Sequence, residues 1–186
     1  MGAINAEKVY VLTLLWGIPH TGSTNRVGSP SGGNGLMKQV LFVDTRNSIL
    51  GPMAEALFNR NASGLGVATS GGILFEEWIN ARVVLAMYEV GIDIGHKLPR
   101  EVDARMLAQA DTVVRMGVDL QVSDLIETRD WVIGEPANPS FLQVCDLRDQ
   151  IRRRVDRLLE DIRKSNQTAG LTDLQWRTAV VNLLSM

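Results

Sequence analysis

The chain has 186 residues, of which 45% are apolar, so it is long enough to bury the core of one domain with appendages. Its formal net charge of −2 gives no general attraction to nucleic acid or to an anionic membrane. A single cysteine excludes an internal disulfide and a thiol relay, and His20 and His96 lack metal-ligand spacing, so we expect neither metal nor cofactor.

The N-terminal segment is predicted to lie outside the folded domain. Val9–Ile18 is apolar, but it is too short for a membrane span of about 20 residues. Thr21–Gly35 is rich in Gly, Ser and Asn, which is typical of a flexible linker. We therefore assign residues 1–36 to an N-terminal appendage and linker, and we expect a cytoplasmic protein without a membrane span.

Strand-like and helix-like runs alternate between residues 37 and 164, and this alternation favours a parallel sheet with helices on both sides. We predict an α/β domain over residues 37–164, a three-layer, doubly wound sheet of four parallel strands flanked by helices. The predicted strands are Val40–Val43, Leu65–Ser70, Asp111–Met116 and Trp131–Ile133, and the predicted helices are Met53–Asn61, Asn80–Val90, Glu101–Ala108 and Cys145–Lys164.

Residues 165–186 are predicted to form a C-terminal helical extension. Within it, Thr172–Leu184 has the pattern of a helix, and Thr172 and Gln175 have capping-box spacing. Leu174 and Val181 contribute to its apolar surface. This helix either packs on its own domain or binds a partner, and the sequence leaves both readings open.

The most informative motif follows the first predicted strand. A strand, a tight loop and a helix that opens near Pro52 turn backbone N–H groups and a helix N-terminus toward one point, which makes an anion cradle. Ligands of parallel sheets bind at the carboxyl ends of strands, where this loop lies. The predicted loop and ligand-binding residues are Asp44, Thr45, Arg46, Asn47, Ser48, Ile49 and Leu50.

This motif closely resembles the loop of the low-molecular-weight protein tyrosine phosphatase and thioredoxin-coupled arsenate reductase superfamily, which reads Val-Cys-x-x-Asn-x-x-Arg-Ser-x-Met-Ala-Glu-Ala. The resemblance implies the fold of that superfamily. It also implies three roles: a thiolate nucleophile, an arginine that holds the oxyanion with loop N–H groups, and an acid that protonates the leaving group. Further matches follow in order at Val67–Gly72, Met87–His96, Ala110–Gly117, Trp131–Pro136 and Asp149–Ile162.

The residues that carry the chemistry of that superfamily are changed here. Asp44 stands at the nucleophile position, Leu50 at the arginine position, and Glu135 at the position of the general acid. A carboxylate is a much poorer nucleophile than a thiolate, and it repels an oxyanion. Ile49 and Val118 stand at or near the relay cysteines of the reductases. We therefore expect no catalytic residue at these positions.

Arg46 departs from the small residue that is usual at its position in the superfamily. The favoured interpretation is an ion pair with Asp44 that fills the phosphate site; alternatively, Arg46 points outward or partly replaces the lost arginine. Asn47 and Ser48 are expected to hold the loop through bonds from side chain to backbone. The four tryptophans have no common spacing and are expected to be packing residues, at Trp16, Trp78, Trp131 and Trp176.

The leading hypothesis from the sequence is a pseudoenzyme that works by binding a protein, as a subunit or assembly factor of a complex. The N-terminal arm, the Asp44 loop and the C-terminal helix are its candidate contacts, and no nucleic-acid partner is expected. The alternative is an enzyme with altered chemistry, a phosphatase-like hydrolase that uses Asp44 as nucleophile or base and Glu135 as acid. A third hypothesis is a sensor that binds a cation or a neutral metabolite.

Overall fold

The computed structural model describes residues 37–184, with side chains described through residue 169. The predictions for residues 1–36, among them the Val9–Ile18 run and the Thr21–Gly35 linker, lie outside the described residues. The elements in chain order are β1 (Lys38–Asp44), α1 (Leu50–Asn61), β2 (Gly66–Gly72), α2 (Ala81–Glu89), α3 (Ala104–Gln109), β3 (Thr112–Met116), β4 (Glu127–Trp131) and α4 (Phe141–Leu184).

The four strands form one sheet in the order β2-β1-β3-β4, and every neighbouring pair is parallel. In this register Asp44, the last residue of β1, lies opposite Gly72 at the end of β2. The carboxyl ends of the two strands therefore meet at one edge of the sheet, as the sequence predicts. The predicted α/β fold with four parallel strands is confirmed.

Both faces of the sheet are buried. Alternate residues of β1 point to opposite sides: Val40 and Phe42 belong to the larger core cluster, and Leu41 and Val43 to the smaller one. Helices α1, α2 and α4 contribute to the larger cluster, and the smaller cluster is covered by partly buried side chains that include Met106 of α3. The three layers explain why β1 reads as a continuous apolar run.

Strand β4 differs from its prediction. The expected strand, Trp131–Ile133, overlaps β4 only at Trp131, because the strand runs over Glu127–Trp131 and Ile133 lies beyond it. β4 is the outermost strand on its side of the sheet, and Trp131 is its one buried residue. A half-exposed edge strand needs little apolar sequence, so hydrophobic patterning does not mark it.

The outer edge of β2 is capped by a side chain. Asn59 of α1 donates its Nδ2–H to the carbonyl of Ala68 at 2.9 Å, and its Oδ1 accepts the N–H of Ala68 at 2.8 Å. Nearby, Nε of Arg100 donates to the carbonyl of Ser70 at 2.9 Å. These bonds give the backbone of an edge strand the partners that a fifth strand would otherwise provide.

Helix α4 is a single helix of 44 residues, whereas the sequence predicts two helices, Cys145–Lys164 and Thr172–Leu184. The predicted apolar face of the first part is confirmed, since Ile151 and Ile162 are buried in the larger core cluster. A glycine inside a helix costs about 1 kcal/mol relative to alanine, and Gly170 does not end this one. The side chains of the C-terminal half lie outside the described residues.

Candidate functional site

The loop between β1 and α1 closes around the carboxylate of Asp44. Oδ1 of Asp44 accepts the backbone N–H of Asn47 at 2.5 Å, and Oδ2 accepts the backbone N–H of Gly51 at 2.7 Å. Gly51 lies in the first turn of α1, so the carboxylate takes the partners that an anion would find at a helix N-terminus. The cradle predicted from the sequence is present, and an acidic side chain of the chain itself fills it.

Asp44 is almost completely buried, with 1% of its surface exposed. Burial raises the pKa of its carboxyl above the ordinary value, and the backbone N–H groups of Gly51, Asn47 and Arg46 oppose that rise because they stabilise the charged form. The side chain is therefore held by backbone donors below the surface of the loop, not presented to solvent.

Gly51 leaves the space that the carboxylate needs. A Cβ on Gly51 would lie 2.7 Å from Nδ2 of Asn47, 3.2 Å from Oδ2 of Asp44 and 3.2 Å from Cβ of Ser70. The superfamily that the loop resembles carries a serine at this position, and even the first carbon of that side chain would be too close here. Asp44 and Gly51 are thus sterically matched.

Asn47 adopts a left-handed backbone conformation, with φ of 52°, at the sharpest point of the loop. Its Oδ1 accepts the backbone N–H of Arg100 at 3.1 Å, which ties the loop to the segment before α3. This bond agrees with the prediction that Asn47 holds the shape of the loop through its side chain. Among residues 37–169, its Nδ2 is the one buried side-chain nitrogen or oxygen without a hydrogen-bond partner.

Leu50 begins α1 and is 1% exposed, packed in the larger core cluster. The sequence predicts a helix that opens with Pro52 and has an amphipathic part from Met53, so the observed loop is shorter than predicted. An apolar side chain directed into the core offers no donor and no charge to an oxyanion. The position that the resemblance assigns to the oxyanion-holding arginine therefore serves packing.

Among residues 37–169, the guanidinium of Arg46 forms no salt bridge with Asp44, so the favoured interpretation of an Asp44–Arg46 ion pair is wrong. Nη1 of Arg46 lies 3.1 Å from Oε1 of Glu76 in a half-exposed salt bridge. Backbone geometry explains the difference. The buried carboxylate of Asp44 is bound by backbone N–H groups inside the loop, whereas the side chain of Arg46 lies on the exposed side of the loop. Arg46 points outward, as one of the alternatives proposed.

A second loop, residues 73–80, lies along the first. The backbone N–H groups of Ile73, Leu74, Glu76 and Asn80 donate to carbonyls of residues 44, 45, 46 and 48 at 2.8–3.1 Å. Gly72 permits this approach, since a Cβ there would lie 2.1 Å from the carbonyl oxygen of Leu74. The two loops are therefore joined through their backbones, and four carbonyl groups of the first loop are already bonded.

A cavity of about 420 Å³ opens between these loops and the segment after β4. Neither Asp44, Asn47 nor Leu50 lines it, although all three were predicted to be ligand-binding. Glu135 does line it, together with four of the other predicted loop residues. The complete lining is Thr45, Arg46, Ser48, Ile49, Glu76, Trp78, Asn80, Glu135, Pro136 and Ala137.

The pKa of Glu135 is raised to about 7. Burial is the largest cause, the negative charge of Asp44 adds to it, and the positive charge of Arg46 partly offsets it. The structure therefore brings the two predicted carboxyl groups close enough to interact electrostatically. Within residues 37–169, no hydrogen bond or salt bridge binds the side chain of Glu135, so its carboxyl is open to a ligand.

Sequence reasoning missed the second loop. Trp78, which was expected to be a packing residue, is 66% exposed and lines the cavity; Trp131, by contrast, is buried as expected. Glu76 and Asn80 were also not predicted. A signal was present, because Gly71-Gly72 directly precedes an apolar and acidic segment at the carboxyl end of a strand. Trp16 and Trp176 lie outside the residues whose side chains are described.

Behind the first loop lies a buried carboxylate, Glu55 of α1. It accepts the hydroxyl of Ser70 at 2.6 Å and forms a salt bridge with Nζ of Lys97, and Nη2 of Arg100 lies 3.5 Å from it. A buried carboxylate requires such partners, since an uncompensated charge is costly. The cluster ties α1 to β2 and to the segment after α2, which stabilises the loop from its inner side.

In the part of the chain that the structure describes, no group of three or more His, Cys, Asp or Glu side chains is arranged to hold a metal ion. In that same part, no helix combines the length and the apolar character needed to cross a bilayer.

Known proteins resemble this chain over the region that contains both loops. The model of the family described as low molecular weight phosphotyrosine protein phosphatase matches residues 39–168. A putative arsenate reductase of Halobacterium salinarum is 29% identical over 127 residues, which cover 64% of this chain and 89% of that protein.

Two solved structures share the fold. An arsenate reductase in the phosphate binding state is 27% identical, with a TM-score of 0.61 over 68% of this chain and 99% of that chain. A thioredoxin-dependent arsenate reductase of Corynebacterium glutamicum is 22% identical, with a TM-score of 0.62 over 69% of this chain and 63% of that chain. At the lower identity the similarity bears on the fold alone.

Proposed function

We propose that this chain, which belongs to the low molecular weight phosphotyrosine protein phosphatase family, is a non-catalytic member that acts by binding a protein partner. The observation that carries the proposal is the position of the Asp44 carboxylate, which takes the N–H groups of Asn47 and Gly51. Donors that are occupied by a side chain of the protein are not free for phosphate or arsenate.

Electrostatics supports the proposal. Two unit charges about 4 Å apart at an effective dielectric of about 20 repel by about 4 kcal/mol, which corresponds to about a thousandfold in affinity. An ionised Asp44 exerts this repulsion on an oxyanion beside it. Leu50 adds no attraction, because its side chain lies in the core. The nearest cation of the loop, Arg46, is bound to Glu76.

Cysteine content argues against the chemistry that the names of the reductases describe. Cys145 is the one cysteine of the whole chain, so a pair of thiols is not available. It lies in α4, is not part of the cavity lining, and burial raises the pKa of its thiol, which makes it less reactive. A single thiol of this kind supports neither a nucleophile nor a relay at the loop.

Turnover assays test the catalytic half of the proposal. Purified protein is incubated with p-nitrophenyl phosphate, and separately with arsenate and thioredoxin, beside an Asp44→Ala variant and an active family member as positive control. We expect the wild-type rate to equal that of Asp44→Ala. A rate well above that of the variant, from protein that is otherwise pure, contradicts the proposal.

Partner recovery tests the binding half. The chain is purified from its native source with associated proteins, as a subunit or assembly factor would be, and these are identified by mass spectrometry. Thr45→Lys places a bulky cation on the exposed rim of the cavity, and Tyr88→Ala changes the exposed face of α2. We expect the first to release the partner and the second to retain it. If both variants retain the partner, the loop is not part of the proposed interface, and the N-terminal arm and the C-terminal helix remain as the candidate contacts.

A second candidate function is a hydrolase with altered chemistry, and the raised pKa of Glu135 favours it. In this reading Glu135 acts as general acid and Asp44 as nucleophile or base. The burial of Asp44 and the bonds to both of its oxygens weigh against it, since a nucleophile must reach the substrate. An activity that depends on pH near 7 and is lost in both Asp44→Asn and Glu135→Gln supports this second function.

A further inference from the structure

We infer that the cavity beside Asp44 binds the basic side chain, arginine or lysine, of a protein partner, whose flanking apolar residues cover the exposed loop 73–80. The inference rests on the proposed binding function and gives that function a ligand chemistry. It depends on an unpaired carboxyl and an exposed indole in the cavity, and on an apolar rim, by which we mean the exposed Leu74 and Phe75 of the loop that carries Trp78.

The balance of charge in the cavity is negative. Its lining contains two carboxyl groups, Glu76 and Glu135, and one guanidinium, Arg46. Since Arg46 and Glu76 form a salt bridge with each other, Glu135 is left as a carboxyl without a partner among residues 37–169. The carboxylate of Asp44 lies close enough to act on Glu135. An incoming cation is attracted by both groups.

Trp78 provides an aromatic wall beside this carboxyl. Its side chain is 66% exposed, and the residue lines the same cavity as Glu135. The face of an indole attracts a guanidinium or ammonium group, and among the aromatic side chains tryptophan binds cations best. A carboxyl and an indole in one cavity form a site that discriminates a cation from a neutral or acidic group.

The apolar rim, which lies on the same loop as the cavity-lining Trp78, indicates that the cation is part of a protein. Leu74 is 46% exposed and Phe75 is 57% exposed, so with Trp78 three large apolar side chains occur within five residues. Exposed apolar clusters of this kind are typical of protein interaction sites. A free amine or guanidine leaves Leu74 and Phe75 uncovered, whereas a peptide segment with apolar residues beside its basic residue buries them.

The loop that carries this rim is held in place before any partner binds. Its backbone donates four hydrogen bonds to the loop that contains Asp44, and Glu76 anchors Arg46 across the two loops. A preformed surface loses little conformational entropy on binding, which favours affinity. The volume of about 420 Å³ falls within the range of about 300–1,000 Å³ that is typical of ligand pockets, so there is room for a side chain.

Matched synthetic peptides test the inference. Three pentapeptides differ only at the central residue, which is arginine, its neutral isostere citrulline, or glutamate, and leucines flank that residue in each. Binding to the full chain is measured by isothermal titration calorimetry at about pH 8, where Glu135 is mostly ionised. We expect the arginine peptide to bind about tenfold more tightly than the citrulline peptide, and the glutamate peptide to bind more weakly still.

Variants of the chain locate the binding. Glu135→Gln should weaken the arginine peptide several-fold and leave the citrulline peptide little changed. Trp78→Ala should weaken the arginine peptide several-fold and the citrulline peptide less, because the citrulline peptide loses apolar contact with the indole but no attraction between the indole and a cation. Tyr88→Ala serves as the matched control, because Tyr88 is 71% exposed on α2 and does not line the cavity. Lowering the pH to about 6 protonates Glu135, and this should weaken binding of the arginine peptide in wild type but much less in Glu135→Gln. The charged groups that act on Glu135 are Asp44, Arg46 and Glu76, and wild type and Glu135→Gln both carry all three.

Each other result contradicts the inference. Equal affinity for the arginine and citrulline peptides excludes recognition of the cation. Equal affinity for the arginine peptide and for N-acetyl-arginine methylamide, the free-cation probe, excludes a role of the apolar rim and hence a protein source. An absence of saturation by the arginine peptide up to roughly 10 mM excludes the site. These outcomes leave the proposed non-catalytic function standing, because that function is tested separately by turnover.

Discussion

Gly51 donates its backbone N–H to Oδ2 of Asp44 at 2.7 Å, and its lack of a side chain leaves the room that this carboxylate occupies. The donor and the space come from the same residue. A glycine at the start of a helix is usually a weakness, because it loses more conformational freedom on folding than other residues. Here it allows a buried acid to lie against the helix N-terminus.

Gly51→Ala is therefore expected to destabilise the protein by about 1–3 kcal/mol, because its Cβ would lie 2.7 Å from Nδ2 of Asn47. The free energy of unfolding in urea measures this loss. Gly134→Ala is the matched control, since a Cβ there meets no atom within 4 Å. Equal stability of the two variants contradicts the tight packing of Asn47 and Asp44 against Gly51.

Asn47 offers a second test of the loop, because its φ of 52° is unfavourable for most side chains. Asn47→Ala and Asn47→Gly both remove the acceptor for the N–H of Arg100. Only alanine retains a Cβ in the left-handed conformation, so Asn47→Ala should be less stable than Asn47→Gly by about 1 kcal/mol. Urea unfolding of the pair measures the difference, and the opposite order rejects the left-handed backbone.

The raised pKa of Glu135 predicts how stability depends on pH. Its folded value of about 7 lies above the ordinary value of 4.5, so the folded state favours the protonated form. The contribution to stability is complete below about pH 4.5 and is lost as the pH rises toward about 7. Glu135→Gln should remove this loss, which a comparison of melting temperatures between about pH 5 and pH 8 measures.

Glu77→Gln is the control for that experiment, because it removes an exposed carboxyl from the neighbouring loop without touching the cavity lining. Its stability curve should keep the wild-type slope between about pH 5 and pH 7. A Glu135→Gln curve with the same slope as wild type contradicts the raised pKa of Glu135 in the folded state.

Arg46→Gln distinguishes the observed salt bridge from an ion pair with Asp44. The observed bridge to Glu76 is half-exposed, so its loss should change stability by no more than about 1 kcal/mol. The pKa of Glu135 should rise further in this variant, because the positive charge of Arg46 lowers that pKa in wild type and the substitution removes the charge. Carboxyl chemical shifts followed through a pH titration by NMR report this change.

Removing a cation that neutralised buried Asp44 would have a much larger effect, about 3–5 kcal/mol. A loss of that size in Arg46→Gln therefore argues for contact with Asp44 and against the salt bridge with Glu76. Arg82→Gln is a suitable control, since Arg82 is an exposed arginine that binds Asn138 and does not line the cavity.

The sheet and the position of the loop could be predicted from the sequence, because both depend on local patterns of residues. The apolar run of β1 is buried on both faces, and the helix that follows it starts within the motif. Alternation of strands and helices then determines the parallel order. The prediction misplaces strand β4 because its exposed edge carries charged residues. It divides α4 in two because the capping-box spacing of Thr172 and Gln175 is typical of a helix start, whereas the helix is continuous there.

The site was only partly predictable, because its contacts join residues far apart in the chain. Arg46 and Glu76 are 30 residues apart, and no local pattern links them. Charge alone suggested Asp44 as the partner of Arg46, whereas the burial of Asp44 depends on how tightly the loop closes around it. Trp78 resembled a core residue by type, and its exposure follows from the way loop 73–80 is bonded to its neighbour.

The bonds from Asn59 to Ala68 have a consequence for self-association. A bare outer strand invites the same strand of another molecule to pair with it, which is the first step of amyloid-like growth. Here an amide side chain already satisfies that backbone, as does Arg100 at Ser70. Strand pairing at Ala68 would require the bonds of Asn59 to break, so we expect Asn59 to disfavour aggregation as well as to support the fold.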